Sequence, residues 1–144
     1  MKPEIYRIID ANLNRSREGL RVCEDITRFV LNSKTLTGDL KDVRHAISDI
    51  ARRSSPGLNA LPESRDADGD VGGHSAIESE MGRKDTADIF AANIERVKES
   101  LRVLEEFFKL VDKKASKKFC GFRFKVYSIE KKAAVRLKNR CPHR

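Results

Sequence analysis

The feature that most constrains the fold of this chain is an internal repeat. Residues 11–25, ANLNRSREGLRVCED, align without a gap with residues 92–106, ANIERVKESLRVLEE, at a constant offset of 81. A second set of matches follows at an offset of 79, and it pairs Leu40, Val43, Arg44, Ile47 and Ile50 with Phe119, Phe122, Arg123, Val126 and Ile129. Two copies of one unit can bury their apolar faces against each other around a pseudo-twofold axis. The repeat therefore predicts two related halves.

Both copies have the apolar periodicity of helices. Residues 4–53 and 85–139 are compatible with helix at nearly every position, with Pro3 at the start and Pro142 beyond the end. Alternating runs rich in Val, Ile and Thr are missing, which argues against strands. We expect an all-α fold, a helical bundle of two pseudo-twofold-related helix hairpins, in a single domain over residues 1–144.

A long loop separates repeat one from repeat two. Residues 54–84 hold five of the eight glycines and two of the four prolines, and loops longer than about 15 residues usually have a function. The loop contains the run RDADGDVGG at 65–73. Asp66, Asp68 and Asp70 imitate the start of a calcium loop, but the required glycine and glutamate do not follow. Two interpretations stay open: Mg²⁺ held by one or two carboxylates together with substrate phosphates, or an acidic turn capped by its own side chains.

Polar residues within the apolar face of the first helix of each repeat are candidate binding residues. On a helical wheel that face is an arc of about 200°, and within it lie Asn12, Arg15 and their copies Asn93 and Arg96. A buried guanidinium needs a partner. The partner is either the glutamate three residues on, Glu18 or Glu99, or a bound anion, whose oxygens suit the arginine fork.

Two further arginines favour the anion. Arg44 and Arg123 each lie about 40° from the apolar centre of their own helix, so we expect four arginines to converge where the helices meet. Four cations exceed what two glutamates neutralise. The charged residues farther round the wheel are interpreted mainly as a solvated helix face; they are Arg17, Arg21 and Glu24, with their copies Lys98, Arg102 and Glu105.

The net charge of +8 comes from the end of the chain, since residues 113–144 carry 12 basic side chains and one acidic one. We interpret this segment as a solubility feature, because no aromatic residue for base stacking follows Tyr127. Nucleic acid is therefore not an expected partner. The sequence leaves open whether the protein forms a homo-oligomer, and it leaves open the role of His74.

The sequence also argues against a membrane protein and against a protein held together by disulfides or structural zinc. No apolar run approaches 18 residues, and the N-terminus lacks the apolar stretch of a signal peptide. The three cysteines, Cys23, Cys120 and Cys141, never form a C-x-x-C pair, which argues against a disulfide framework and structural zinc. We expect a cytoplasmic protein.

The combined motifs resemble a known family. They are Ile9-Asp10-Ala11-Asn12-Leu13-Asn14-Arg15 with Glu18, Leu20-Arg21-Val22, Glu24-Asp25 and Arg44-His45, then Arg65-Asp66, Gly69-Asp70-Val71-Gly72, Ala92-Asn93, Leu101-Arg102-Val103-Leu104-Glu105-Glu106, and Arg123, Tyr127 and Glu130-Lys131. This set is similar to the small all-helical hydroxymethylpyrimidine phosphate kinase of thiamine biosynthesis, a module often fused in front of thiamine-phosphate synthase. The likeness covers roughly residues 4–137. It departs in the loop, where Ala67-Asp68 replaces the expected Thr and Pro, and where His74 rather than Thr follows Gly73.

The resemblance implies a free-standing kinase that uses ATP and Mg²⁺ to convert hydroxymethylpyrimidine phosphate to its pyrophosphate. With the length and acidity of the loop, it assigns catalytic roles to Asp66, Asp70, Arg15 and Arg96, and metal binding to both aspartates. Substrate and phosphate binding are assigned to Asn12, Glu18, Arg44, Arg65, Gly69, Gly72, Asn93, Glu99 and Arg123. Two other functions remain as alternatives: a non-catalytic helical partner of thiamine-phosphate synthase, and a basic nucleic-acid-binding helical module.

Overall fold

The computed structural model describes residues 2–54, 66–72 and 81–140. These residues contain no strand and form four helices: α1 (Pro3–Asp25), α2 (Lys34–Arg53), α3 (Thr86–Phe108) and α4 (Lys113–Arg140). The π-helical turn Ile26–Val30 continues α1. The predicted all-α bundle is confirmed.

Side-chain caps begin the helices at equivalent points of the two repeats. The hydroxyl of Ser33 accepts a hydrogen bond from the backbone N–H of Leu36 at 3.2 Å, where α2 begins. At the start of α4 the carboxylate of Asp112 accepts from the backbone N–H groups of Lys114 and Ala115, at 3.0 and 3.2 Å. Such caps pair backbone donors that have no partner within the helix. The helix limits are thus encoded locally, 79 residues apart.

The two interhelical connections differ in length, which explains the change of offset. The first, between Asp25 and Ser33, is two residues longer than its copy between Glu106 and Asp112. The π-helical turn takes up the extra chain, with the N–H of Leu31 donating to the carbonyl of Ile26 at 3.1 Å. Asn32 then reverses the chain with a φ of 50°, a left-handed conformation that Asn tolerates better than most residues.

The central pair of helices is α1 with α3, and α2 and α4 pack on the outside of α1 and α3 respectively. The pair is antiparallel: Gly19 lies against Val97 and Asn93, whereas Cys23, farther along α1, lies against Phe90, earlier in α3. A Cβ at Gly19 would lie only 2.7 Å from Val97 Cγ2. The absence of a side chain there lets the two helices approach closely.

The core is built from matched residues of both repeats. Leu40 and Phe119 are fully buried, as are Ile47 and Val126, each pair 79 residues apart. In the second copy the aromatic rings of Phe108 and Phe119 also pack against each other, with centroids 4.8 Å apart and ring planes tilted by 41°. The repeated apolar pattern therefore marks the core correctly.

The basic end of α4 has partners within the chain. The guanidinium of Arg136 donates to the carbonyl of Leu31 at 3.1 Å, and Arg140 donates to the carbonyl of Val30. These carbonyls lie at the end of the π-helical turn. Solubility alone does not account for this segment, because part of its charge caps the end of a helix. None of the described helices is long and apolar enough to cross a membrane.

Candidate functional site

A cleft of about 450 Å³ lies between α1 and α3, and we call it the twofold cleft. Its walls face each other as copies: Asn12 with Asn93, Arg15 with Arg96, Glu18 with Glu99, and Gly19 with Ser100. Matched residues on opposite walls are what a twofold axis through the cleft produces. The repeat therefore places one set of polar groups twice around a single space.

The asparagines of the twofold cleft are held by their own helices. The side-chain amide of Asn12 donates to the carbonyl of Ile8 at 2.8 Å, and that of Asn93 donates to the carbonyl of Ile89 at 2.8 Å. Each bond spans four residues on one helix, so one amide N–H is paired within the helix itself. Both side chains are thus oriented before any ligand arrives, which lowers the entropic cost of binding one.

The arginines of the cleft are exposed, and so are Glu18 and Glu99. The prediction that Arg15 and Arg96 are buried is wrong. A helical wheel gives the direction of a side chain but not the spacing of neighbouring helices, and here they leave an open cleft beside the close contact at Gly19. Within the described part of the chain, none of these four charged side chains forms an ion pair. The two guanidinium groups are available to an anion.

A second pocket, of about 670 Å³, joins the twofold cleft and shares Asn12 and Arg15 with it. We call it the loop pocket, because Asp66 and Asp70 of the central loop form one wall. The structure therefore brings the two predicted metal-binding aspartates beside Arg15 in one continuous space. The other described walls of this pocket come from α1, apart from Val103 of α3, so the loop breaks the symmetry of the cleft.

The acidic loop residues are organised as turns. Asp66 Oδ1 accepts from the backbone N–H of Gly69 at 2.9 Å, and Asp70 Oδ1 accepts from that of Gly72 at 3.0 Å. A side chain at Gly69 would collide with the Asp66 carboxylate. The acidic-turn interpretation therefore accounts for one oxygen of each aspartate, while Oδ2 of each takes no part in these bonds.

The donor set fits Mg²⁺ only in company with phosphates. Among the described residues no group of three or more His, Cys, Asp or Glu side chains could hold a metal ion. Mg²⁺ keeps several waters and is commonly bound by one or two carboxylates together with substrate phosphates. Asp66 and Asp70, exposed and in the same pocket, suit that second kind of site.

The four predicted arginines do not converge. Arg44 lies on α2 and donates two hydrogen bonds to Glu24. They run from Nε to Oε2 at 2.5 Å and from Nη2 to Oε1 at 3.2 Å. Arg123 on α4 donates to Glu105 at 3.2 Å from Nη2. Neither arginine lines the twofold cleft or the loop pocket. The prediction of convergence is wrong because each arginine meets a buried glutamate before it can reach the cleft.

These glutamates correct a second interpretation. Glu24 and Glu105 are buried, not part of a solvated face. Burial alone would raise the pKa of Glu105, but hydrogen bonds from Cys120 and Arg123 hold that pKa below its ordinary value. The hydrogen bond to Glu24 raises the pKa of Arg44. The sequence repeat contained a signal for these ion pairs, because both the arginine and the glutamate of the pair occur in each repeat.

Lys98 is likewise a structural residue. Its ammonium group lies 2.7 Å from Glu95 and 2.8 Å from Glu130, and its side chain is only 11% exposed. Burial alone would lower the pKa of Lys98, yet the hydrogen bonds to Glu130 and Glu95 raise it above its ordinary value. The interpretation of Lys98 as a solvated residue is therefore wrong, because it ties α3 to α4.

Residues 7–132 match the model of the ThiD2 family. The chain belongs to the ThiD2 family. The thiamine-phosphate synthase of Nostoc punctiforme is 40% identical to it over 126 residues, 88% of this chain and 34% of that protein. The thiamine-phosphate synthase of Rhodopirellula baltica is 36% identical over 133 residues, 92% of this chain and 35% of that protein. The chain spans about a third of the length of these relatives, and no solved structure matches it.

The matched ThiD2 region includes site residues that sequence reasoning missed. Arg7 and Asp10 line the loop pocket, together with Glu4 just outside the matched region. Asp10 is buried and belongs to the motif at residues 9–15, although no role was predicted for it. Its position two turns before Arg17 on a polar helix face gave no separate signal.

Some predicted residues of this ThiD2-family chain stay outside the site or outside the described residues. His45 of the motif Arg44-His45 is exposed on α2 and lines neither the twofold cleft nor the loop pocket. Arg65, Gly73, His74 and Cys141 lie outside the described residues.

Cys23 and Cys120 are free thiols, and burial raises the pKa of Cys23 to about 12. Cys23 is therefore protonated near neutral pH and is not a nucleophile.

Proposed function

We propose that this chain is an ATP- and Mg²⁺-dependent kinase of thiamine biosynthesis that converts hydroxymethylpyrimidine phosphate to its pyrophosphate. The observation that carries the proposal is the continuous cleft in which Asp66 and Asp70 lie beside Arg15, with Arg96 on the opposite wall. Membership of the ThiD2 family and the likeness to proteins named thiamine-phosphate synthase support the choice of pathway.

The reaction makes modest chemical demands. An oxygen of the acceptor phosphate forms a bond to the γ-phosphorus of ATP, and the bond from that phosphorus to the β–γ bridging oxygen breaks to release ADP. The attacking oxygen is already ionised, so no general base is needed. Catalysis then consists of positioning two polyanions and neutralising their charge. This is consistent with a site built from arginines and aspartates.

Each wall of the cleft has a part in the proposed reaction. Arg15 and Arg96 would bind phosphate oxygens, for which the planar guanidinium fork is suited. Asn12 and Asn93, held in fixed orientation by their helices, would contact the pyrimidine or phosphate groups. Asp66 and Asp70 would hold Mg²⁺, which supplies positive charge to the phosphates being bridged.

The loop makes the two sides of the cleft different, although the repeat places the same residues on both. Arg15 lines the loop pocket together with the two aspartates, whereas Arg96 on α3 lines the twofold cleft and is not among the residues that line the loop pocket. We therefore assign the metal-bound ATP phosphates to the α1 side and the acceptor phosphate to the α3 side. A kinase that consumes ATP works where ATP is abundant, so the proposal includes a cytoplasmic location.

Product formation tests the proposal directly. The purified chain is incubated with hydroxymethylpyrimidine phosphate and Mg-ATP, and ³¹P NMR follows the new pyrophosphate and ADP. We expect the two products in equal amounts, and none when EDTA removes Mg²⁺. Unphosphorylated hydroxymethylpyrimidine is the control acceptor, since its hydroxyl is not ionised and would require a general base that the acceptor phosphate does not need.

A non-catalytic role is the second candidate, because the match occupies a third of proteins that are named for the synthase. No turnover in the assay above, combined with tight binding to a separately produced thiamine-phosphate synthase, would establish that role instead.

A further inference from the structure

A third cleft, of about 580 Å³, shares no lining residue with the twofold cleft or the loop pocket. It lies between the C-terminal end of α1 and the first half of α2. We call it the basic pocket, because five of its side chains are cationic: Arg21, Arg28, Lys34, Lys41 and Arg44. Among the described residues that line it, only Glu24 and Asp25 provide negative charge.

Most of this positive charge is not neutralised. Glu24 is occupied by Arg44. The other four cations are exposed, and in the described part of the chain none of them forms an ion pair. With Asp25 counted against them, the pocket has an excess of three positive charges. An excess of this size in one concave space attracts an anion.

The second repeat provides an internal comparison. The copies of Arg21 and Arg28 are Arg102 and Lys109, and both contact the carboxylate of Glu106, at 3.4 and 2.9 Å. In the first repeat the shorter Asp25 replaces that glutamate and forms no such bridge. Glu106 therefore pairs with both cations in the second repeat, whereas no described carboxylate pairs with their copies in the first.

The starts of α2 and α4 also differ in negative charge. In α4 the carboxylate of Asp112 accepts from two backbone N–H groups, those of Lys114 and Ala115. In α2 the neutral hydroxyl of Ser33 accepts from Leu36 only, and the described residues offer no acceptor to the equivalent N–H of Thr35. The basic pocket thus lacks a second negative charge that its copy contains.

Sequence differences enlarge and charge the pocket further. Lys41 occupies the position equivalent to Cys120, and Gly38 the position equivalent to Lys117. A Cβ at Gly38 would meet nothing within 4 Å, so this wall of the pocket is open. Both differences provide room and charge for a ligand larger than a single ion.

We propose that the basic pocket is a binding site for a phosphate-chain anion, either a diphosphate or the triphosphate end of a nucleotide. The anion supplies the negative charge that Glu106 and Asp112 supply in the second repeat. Arginine, lysine and the free N–H groups at the start of a helix are the donors that phosphate oxygens accept from. This site is separate from the proposed phosphoryl-transfer cleft and does not depend on it.

Pyrophosphate is the probe that tests the site. The full chain is titrated with inorganic pyrophosphate, and ¹H–¹⁵N NMR follows the backbone amides of Lys34 and Thr35. Both amides shift in a saturable way. The double variant Arg28→Gln/Lys41→Gln weakens binding at these amides by about tenfold or more, since it removes two charged donors.

The matched control is Lys109→Gln/Lys113→Gln, which removes two charges from the second repeat, at the copies of Arg28 and Lys34. It leaves the affinity measured at Thr35 within about twofold of the parent. Equal losses in both double variants would overturn the proposal, because they would indicate a general charge effect. Amides of Lys34 and Thr35 that do not respond to pyrophosphate would also overturn it.

Two further arms separate this site from the cleft and identify the source of the anion. Arg15→Met/Arg96→Met, which removes the arginines of the twofold cleft, leaves the response of Thr35 unchanged, and a lost response contradicts a separate site. ATP without Mg²⁺ that binds more tightly than pyrophosphate identifies a nucleotide as the source, and the reverse order identifies a diphosphate. Equal binding of adenosine, which has no phosphate, contradicts the proposal.

Discussion

Arg44 on α2 donates to both carboxylate oxygens of Glu24 on α1. The side chain of Glu24 is 6% exposed and that of Arg44 is 20% exposed, so the pair is largely removed from water. Arg123 and Glu105 connect α4 to α3 at the equivalent place. In each repeat, an equivalent ion pair fastens the outer helix to the central one.

Arg44→Met should destabilise the fold by about 3 kcal/mol, because it leaves Glu24 as a buried carboxylate without a partner. Urea denaturation measures this change in the free energy of unfolding. The control is Arg52→Met on the same helix, whose partner Asp49 is exposed, and which should cost less than about 1 kcal/mol. A similar cost for the two variants would show that the Arg44 pair behaves as a surface ion pair.

The lowered pKa of Glu105 predicts a dependence of stability on pH. The folded protein holds this carboxylate ionised below its ordinary pKa of 4.5, so the unfolded chain binds the proton more readily. The stabilisation is present above pH 4.5 and is lost as the pH falls through the folded pKa. The free energy of unfolding should therefore fall less steeply with acid in Glu105→Gln than in the parent. Glu99→Gln, at an exposed position without an ion pair, should keep the slope of the parent protein.

Asp70→Asn should reduce turnover by about a hundredfold or more, since it removes one of two proposed metal-binding charges. The asparagine carbonyl can still accept the hydrogen bond from Gly72, so thermal stability should hardly change. Asp68→Asn is the matched control. Asp68 is an exposed aspartate of the same turn that does not line the loop pocket, and its loss should be nearly silent. Full Mg²⁺-dependent activity in Asp70→Asn would exclude this carboxylate from the chemistry.

Arg96→Met should weaken binding of the phosphorylated acceptor by about tenfold or more, because a charged donor to phosphate is lost. Stability should stay within about 0.5 kcal/mol, as expected for an exposed side chain without an ion pair. Steady-state kinetics with each substrate varied separately measures the effect. We expect a rise in KM for the acceptor and little change in KM for ATP, and an unchanged acceptor KM would remove Arg96 from the binding site.

Gly19→Ala should destabilise the protein by about 1–3 kcal/mol. The added Cβ would lie 2.7 Å from Val97 Cγ2 and 3.1 Å from the carbonyl oxygen of Asn93, and neither group is a flexible side-chain end. Gly121→Ala on α4 is the control, because a Cβ there meets nothing within 4 Å. It should stabilise the helix by about 0.5–1 kcal/mol. Thermal denaturation of the two variants should therefore shift in opposite directions.

The architecture was accessible from sequence because its determinants are local and repeated. Apolar spacing marked the core positions of both repeats, including Leu40 and Phe119. The repeat of residues 11–25 in 92–106 also predicted two halves around a pseudo-twofold axis, and Asn12 and Asn93 line opposite walls of the twofold cleft. The role of each loop aspartate stays a prediction, although its place beside Arg15 is now observed.

The sequence by itself determined the helical fold, the two related hairpins and the set of charged residues from which any site must be built. Only the tertiary structure decided which partner each of those charged residues meets. Whether Arg44 meets Glu24 or a ligand, and whether Arg15 is buried or lies in an open cleft, depends on the distance between helices that are far apart in the chain. A helical wheel contains the direction of a side chain but not that distance. Whether two charged residues form an ion pair depends on both the direction and the distance, because the interaction of charges falls with separation and with exposure to water.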